Sequence, residues 1–145
     1  ENPIYNFEED EEITEEERSM YPEFNKLEVS REVCKGLENI IHHHVITSDP
    51  IIIEGDDILP EFAIARQKYE PRVRSIFLYN DDNMIIRNNL VSRNRMLEKI
   101  EIKQAVDDLL KSNLRIRDEA GRLGLNVIRS SPYETLFERV IALLD

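Results

Sequence analysis

Three short apolar runs, separated by stretches of helical periodicity, limit what this chain can fold into more than any other feature. They are Ile51-Ile52-Ile53, Val73 to Tyr79, and Leu125-Asn126-Val127-Ile128. The first is β-branched and free of polar residues, as in a strand covered on both faces. Each run is followed by a polar loop and then by helical spacing. Strands alternating with helices need crossover connections, which lay the strands parallel and put helices over the sheet. The expected fold is α/β, a three-layer, mainly parallel sheet with helices on both faces. Residues 51–55, 73–79 and 125–129 are its expected neighbouring or near-neighbouring strands. Three strands are few for such a sheet, so the fold is expected to be incomplete at the N-terminus.

The helical stretches have their own signals. Leu27, Val33, Cys34, Leu37, Ile40 and Ile41 predict a helix near 28–44, ending in His42-His43-His44 ahead of the breaker Pro50. Successive helical residues point about 100° apart, so the three histidines do not converge on one ion, and no metal is expected there. Pro60 opens a short helix over 61–68. Asn80-Asp81-Asp82-Asn83 supplies turn and N-cap chemistry for a helix from about 82, with a break near Arg95. Two further pieces, 102–111 and 113–123, are expected on either side of Ser112-Asn113, with Gly124 as a C-cap. Pro132 begins the last helix. Thr14-Glu15-Glu16-Glu17 reads as a capping box.

Composition narrows the function classes. At 145 residues, 41% hydrophobic and 34% charged, the chain has the make-up of one water-soluble domain. It contains no apolar run near the roughly 20 residues of a membrane span, and its start has neither the basic nor the apolar part of a signal peptide. A cytoplasmic address is expected, with no membrane partner. The net charge of −11 argues against non-specific nucleic-acid binding. Residues 1–18 carry nine acids against Arg18, a balance of −8 that leaves −3 on the remainder. They are expected to form a flexible acidic segment, with residues 19–145 as the folded domain. Cys34 is the single cysteine, which excludes an internal disulfide.

Ligands of parallel sheets bind beyond the carboxyl ends of the strands. After the first run, Glu54-Gly55-Asp56-Asp57 places three carboxylates around a glycine, a pattern suited to holding magnesium or serving as a base. After the second, Arg87, Arg93 and Arg95 punctuate a polar segment, and guanidinium groups suit phosphate oxygens. After the third comes the polar loop Arg129-Ser130-Ser131-Pro132. A polar loop with an N-cap aspartate, and arginines on a solvated helix, are the structural alternatives for the first two.

The run Pro50 to Pro60, the arginine-bearing stretch 87–95, and Arg129-Ser130-Ser131-Pro132-Tyr133-Glu134-Thr135-Leu136-Phe137-Glu138-Arg139 together resemble successive landmarks of P-loop small-molecule kinases, of the chloramphenicol-phosphotransferase-like and AAA-ATPase-like kind. The resemblance covers most of the chain from about residue 20. It implies an ATP-dependent phosphotransferase acting on a small hydroxyl-bearing molecule or a nucleotide, with ATP and Mg2+ as cofactors. By the same resemblance Asp56 sits near magnesium or the attacking hydroxyl, and Asp57 belongs to the same cofactor site. Arg87, Arg93 and Arg95 belong to a lid over the phosphates, and Arg129, Ser130 and Pro132 lie near the adenine. One departure is large. No G-x-x-x-x-G-K-[ST] occurs; the four glycines are Gly36, Gly55, Gly121 and Gly124. Without that loop a triphosphate has no backbone N–H cradle and no lysine at its outer phosphates. The 145 residues are therefore expected to be inactive unless such a loop lies upstream. The competing expectation is a non-catalytic α/β interaction module derived from the same fold, which binds a protein partner through the acidic segment or exposed helices.

Overall fold

The computed structural model describes residues 22–93 and 99–144. The chain is mixed α/β, mostly helical with one small parallel sheet, and it divides into two compact units, residues 1–73 and 74–145. The acidic segment, the capping box at Thr14 and the break near Arg95 lie outside the described residues.

The first unit is a long helix packed on a short one. Helix α1 spans Pro22–Thr47 and α2 spans Pro60–Tyr69. Leu27, Cys34, Leu37 and Ile41 recur at helical spacing along α1 and pack with Ile58, Leu59 and Phe62. Ser48, in the left-handed region at φ 58°, ends α1, and Pro50 prevents its continuation. Pro60 opens α2 from the extended Leu59, where its missing N–H costs nothing. Cys34 is fully buried and its sulfur accepts the Leu59 N–H at 3.5 Å. Burial raises its thiol pKa, as expected of an inert core cysteine. Beyond α2, Arg72 grips Glu70 through Nε and Nη2, each at 2.9 Å, and holds that carboxyl down to about 2.

The expected strand at 51–55 is not formed. These residues are irregular and pair with no strand among the described residues, and Ile52 is 95% exposed. β-branched composition records a fit to a pleated, covered surface, and here no such surface adjoins it.

The second unit carries the sheet. Strands β1 (Ile76–Tyr79) and β2 (Asn126–Arg129) pair in parallel, Ile76 opposite Asn126 and Tyr79 opposite Arg129. Between them run α3 (Asn83–Arg93) and α4 (Lys99–Arg122), the helical crossover that parallel pairing requires. Asp82 caps α3, its Oδ1 accepting the N–H groups of Met84 at 2.8 Å and Ile85 at 3.1 Å. Arg117 of α4 lies 5.7 Å over the Tyr79 ring, which puts α4 on the sheet face that Tyr79 shares with Phe77 and Val127. On the opposite face Leu78 is half-exposed.

Helix α4 is continuous where two pieces were expected. Asn113 donates Nδ2 to the Leu109 carbonyl at 2.8 Å and accepts the Asn80 N–H on Oδ1 at 2.9 Å, so its side chain ties helix to loop without interrupting the backbone. The helix ends at Gly124 (φ +76°), with Leu125 N–H bonded to the Ala120 carbonyl and Gly124 N–H to that of Gly121. That is a Schellman arrangement, closed by the buried Ala120 and Leu125. After β2 a 3-10 turn (Tyr133–Thr135) leads into α5 (Leu136–Ile141).

The two glycines of this helix end predict opposite responses to alanine. A Cβ at Gly121 meets nothing within 4 Å, so Gly121→Ala should stabilise the protein by about 0.5–1 kcal/mol through backbone entropy. At Gly124 the positive φ makes Gly124→Ala destabilising by about 1 kcal/mol. Urea unfolding of the two variants checks the pair; equal shifts would contradict the left-handed cap.

Candidate functional site

The carboxyl ends of β1 and β2 carry most of the ordered polar chemistry of the second unit. Asn80, just past β1, is buried. Its N–H is taken by Asn113, its Oδ1 accepts the Asp82 N–H at 3.0 Å, and its Nδ2 lies 3.5 Å from the Tyr133 hydroxyl. That hydroxyl also accepts from Asn89 Nδ2 at 3.3 Å. Two amides thus pin the phenol from one side, while Tyr133 as a whole remains 52% exposed. The result is a positioned aromatic residue beside the strand ends.

The loop after β2 is held from within. Ser130 N–H donates to the Tyr79 carbonyl at 2.8 Å, extending the ladder by one bond, and the Ser131–Pro132 peptide is cis. Arg139, one turn into α5, donates to the carbonyls of Arg129 at 2.6 Å, Ser130 at 3.3 Å and Pro132 at 2.8 Å. A guanidinium fork matches several converging acceptors in a way an ammonium cannot. Arg129 Nε lies 2.7 Å from Asp81 Oδ1, an ion pair across the ends of the two strands.

Arg129, Ser130 and Pro132 therefore lie together on one braced loop. Arg87 and Arg93 are both exposed on α3. Six residues of helix separate them by about 120° around the axis, so they present to different sides. Arg95 lies outside the described residues. Asp56 and Asp57 belong to the first unit and form its turn ahead of α2. They differ in environment: Asp57 Oδ1 sits 3.0 Å from the hydroxyl of the buried Ser30, whereas Asp56 is exposed.

Sequence reasoning missed Asn80, Asn89, Asn113 and Tyr133 as a connected set, and Arg139 as the brace of the neighbouring loop. Asn80 is legible as part of a capping run, but nothing in the sequence says that it is buried. Arg139 is legible only as the arginine ending the motif-like run from Arg129. Among the described residues no group of three or more His, Cys, Asp and Glu side chains is placed to hold a metal ion.

Compared with protein-family models, curated proteins and solved structures, the chain finds no match.

Proposed function

We propose that this chain is part of an ATP-dependent phosphotransferase, with the loop after β2 on the adenine side, acting on a small hydroxyl-bearing molecule or a nucleotide. The observation that carries the reading is the Arg139-braced loop 129–133 at the carboxyl ends of two parallel strands, where α/β sheets take their ligands. Tyr133 offers a positioned aromatic face to a base, and the Ser130 and Ser131 hydroxyls add adaptable polar partners. Arg87, Arg93 and Arg95 are the proposed phosphate-side cations of the second unit, and Asp56, with Asp57 next to it in sequence, is the proposed metal or acceptor-hydroxyl residue of the first. Magnesium bound with the triphosphate would neutralise charge on the transferring group. The finer fold that goes with this reading is a three-layer parallel sheet completed by further strands, one of them leading into a glycine-rich phosphate loop.

Because that loop is absent from the 145 residues, the base should be gripped and the triphosphate should not. In amide-resolved NMR titrations, adenosine and Mg-ATP are expected to shift the same residues, Arg129 to Tyr133, with similar dissociation constants on the order of a millimolar or weaker. Shifts spread without regard to this loop, or none up to about ten times that concentration, would refute the adenine assignment. Tight ATP binding would overturn the account of the missing phosphate grip. Among the described residues, one observation favours the interaction-module reading: Val29, Val33 and Ile40 of α1 are exposed.

A further inference from the structure

The backbone of the loop after β2 can be followed group by group, since each residue except proline brings one donor and one acceptor. Arg129 belongs to the ladder, and its carbonyl accepts from Arg139. Ser130 donates its N–H to the Tyr79 carbonyl, and its own carbonyl accepts from Arg139. Pro132 has no N–H, and its carbonyl also accepts from Arg139. The Tyr133 carbonyl accepts the Leu136 N–H. Among these five residues, all of them described, only Ser131 keeps both its N–H and its carbonyl unengaged.

Two features aim that pair. The Ser130 carbonyl turns toward Arg139, and across a trans peptide the following N–H points the opposite way, so the Ser131 N–H faces away from the guanidinium. Ser131 also precedes Pro132, which favours extended backbone at 131. An extended residue sends its own N–H and C=O to one side, as at the hydrogen-bonded positions of an antiparallel ladder. Arg139 holds the residue before Ser131 and the residue after it, so the pair is fixed before any ligand arrives. A donor beside an acceptor thus stands at the carboxyl end of two parallel strands. A phosphate or carboxylate offers acceptors only and would set its charge against the Ser131 carbonyl. The matching ligand edge is an acceptor beside a donor, which adenine carries as ring nitrogen N1 and its 6-amino group.

We propose that the backbone of Ser131 reads the base, its N–H donating to N1 and its carbonyl accepting from the 6-amino group. The inference rests on the phosphotransferase reading, which puts adenine at this loop, and adds the atoms that recognise it.

Amide-resolved NMR of the full chain, titrated with adenosine and three analogues, tests it. 7-Deazaadenosine keeps the N1 and 6-amino edge and is expected to bind as adenosine does. 1-Deazaadenosine, with C–H in place of N1, and purine riboside, with hydrogen in place of the amino group, each lose one bond and should bind about three- to tenfold more weakly. Adenosine and 7-deazaadenosine should also move the Ser131 amide proton downfield, as a new acceptor on that N–H requires, and 1-deazaadenosine should not. Adenosine that shifts none of the amides from Arg129 to Tyr133 would overturn the placing of a base at this loop, and this inference with it. Adenosine that binds there while 1-deazaadenosine and purine riboside bind equally well would leave the base-side reading standing and overturn the assignment to Ser131. A downfield shift at the Tyr133 amide in place of Ser131 would do the same.

Discussion

Arg66→Ala is expected to destabilise the first unit by about 3–5 kcal/mol, the cost of breaking a buried ion pair by removing one partner. Arg66 is a charged residue at 3% exposure in the last turn of α2, and Glu38 of α1 is its carboxylate partner through Nη1 and Oε1. Alanine would leave the Glu38 carboxylate buried without its cation. It would also remove a guanidinium lying 5.2 Å over the Tyr69 ring and the methylene stem beneath it. The pair is not fully satisfied even when intact, because Arg66 Nε and Glu38 Oε2 are buried with no hydrogen-bond partner. Replacing both residues together, as Glu38→Leu with Arg66→Met, should therefore cost much less than Arg66→Ala, since apolar side chains of similar volume need no partners. Urea unfolding of the single and double variants gives the comparison. A single variant within about 0.5 kcal/mol of wild type would mean that water reaches the pair.

The contrast between the two units shows what a sequence can and cannot carry. Local signals translated well. The periodicity from Leu27 to Ile41 gave α1, Pro60 gave the start of α2, the Asn80 to Asn83 run gave the cap of α3, and Gly124 gave the end of α4. Each depends on a few neighbouring residues and on backbone chemistry that acts wherever they occur. The parallel pairing of β1 and β2 was also legible, because two apolar runs joined by long helical segments leave little other choice. The Ile51 to Ile53 run misled for the complementary reason. A strand is defined by its neighbour, and three isoleucines carry β propensity without supplying one. Asn113 misled differently. As a helix breaker in isolation it predicts an interruption, yet a long-range bond to the Asn80 N–H settles its side chain while the helix runs on. The site divides along the same line: the polar loop Arg129 to Pro132 is visible as a loop after a strand, but its bracing by Arg139 needs the fold.

In the protein supplied with a phosphate-gripping loop, Asp56→Asn is expected to lower phosphoryl-transfer turnover on the order of a hundredfold or more, equivalent to about 3 kcal/mol of lost transition-state stabilisation. The expectation rests on the proposed phosphotransferase reading and on the difference between two adjacent carboxylates. Asp57 is already engaged. Its Oδ1 lies 3.0 Å from the Ser30 hydroxyl, and its carbonyl lies 3.6 Å from the Cys34 sulfur, so its side chain and backbone both tie the turn to α1. Asp56 is exposed, which leaves its carboxylate open to a divalent cation or an acceptor hydroxyl. Exchanging one oxygen of Asp56 for an amide removes the charge and the basic lone pair while keeping the shape, so folding should change by less than about 0.5 kcal/mol. Asp57→Ala should do the reverse, costing about 1–2 kcal/mol of stability through the lost Ser30 contact. Single-turnover transfer assays and urea unfolding, run on both variants, separate the two roles. Unchanged turnover in Asp56→Asn would remove Asp56 from the chemistry. A large loss of stability in that variant would instead make the exposed carboxylate part of the fold, leaving the phosphotransferase reading to rest on the braced loop alone.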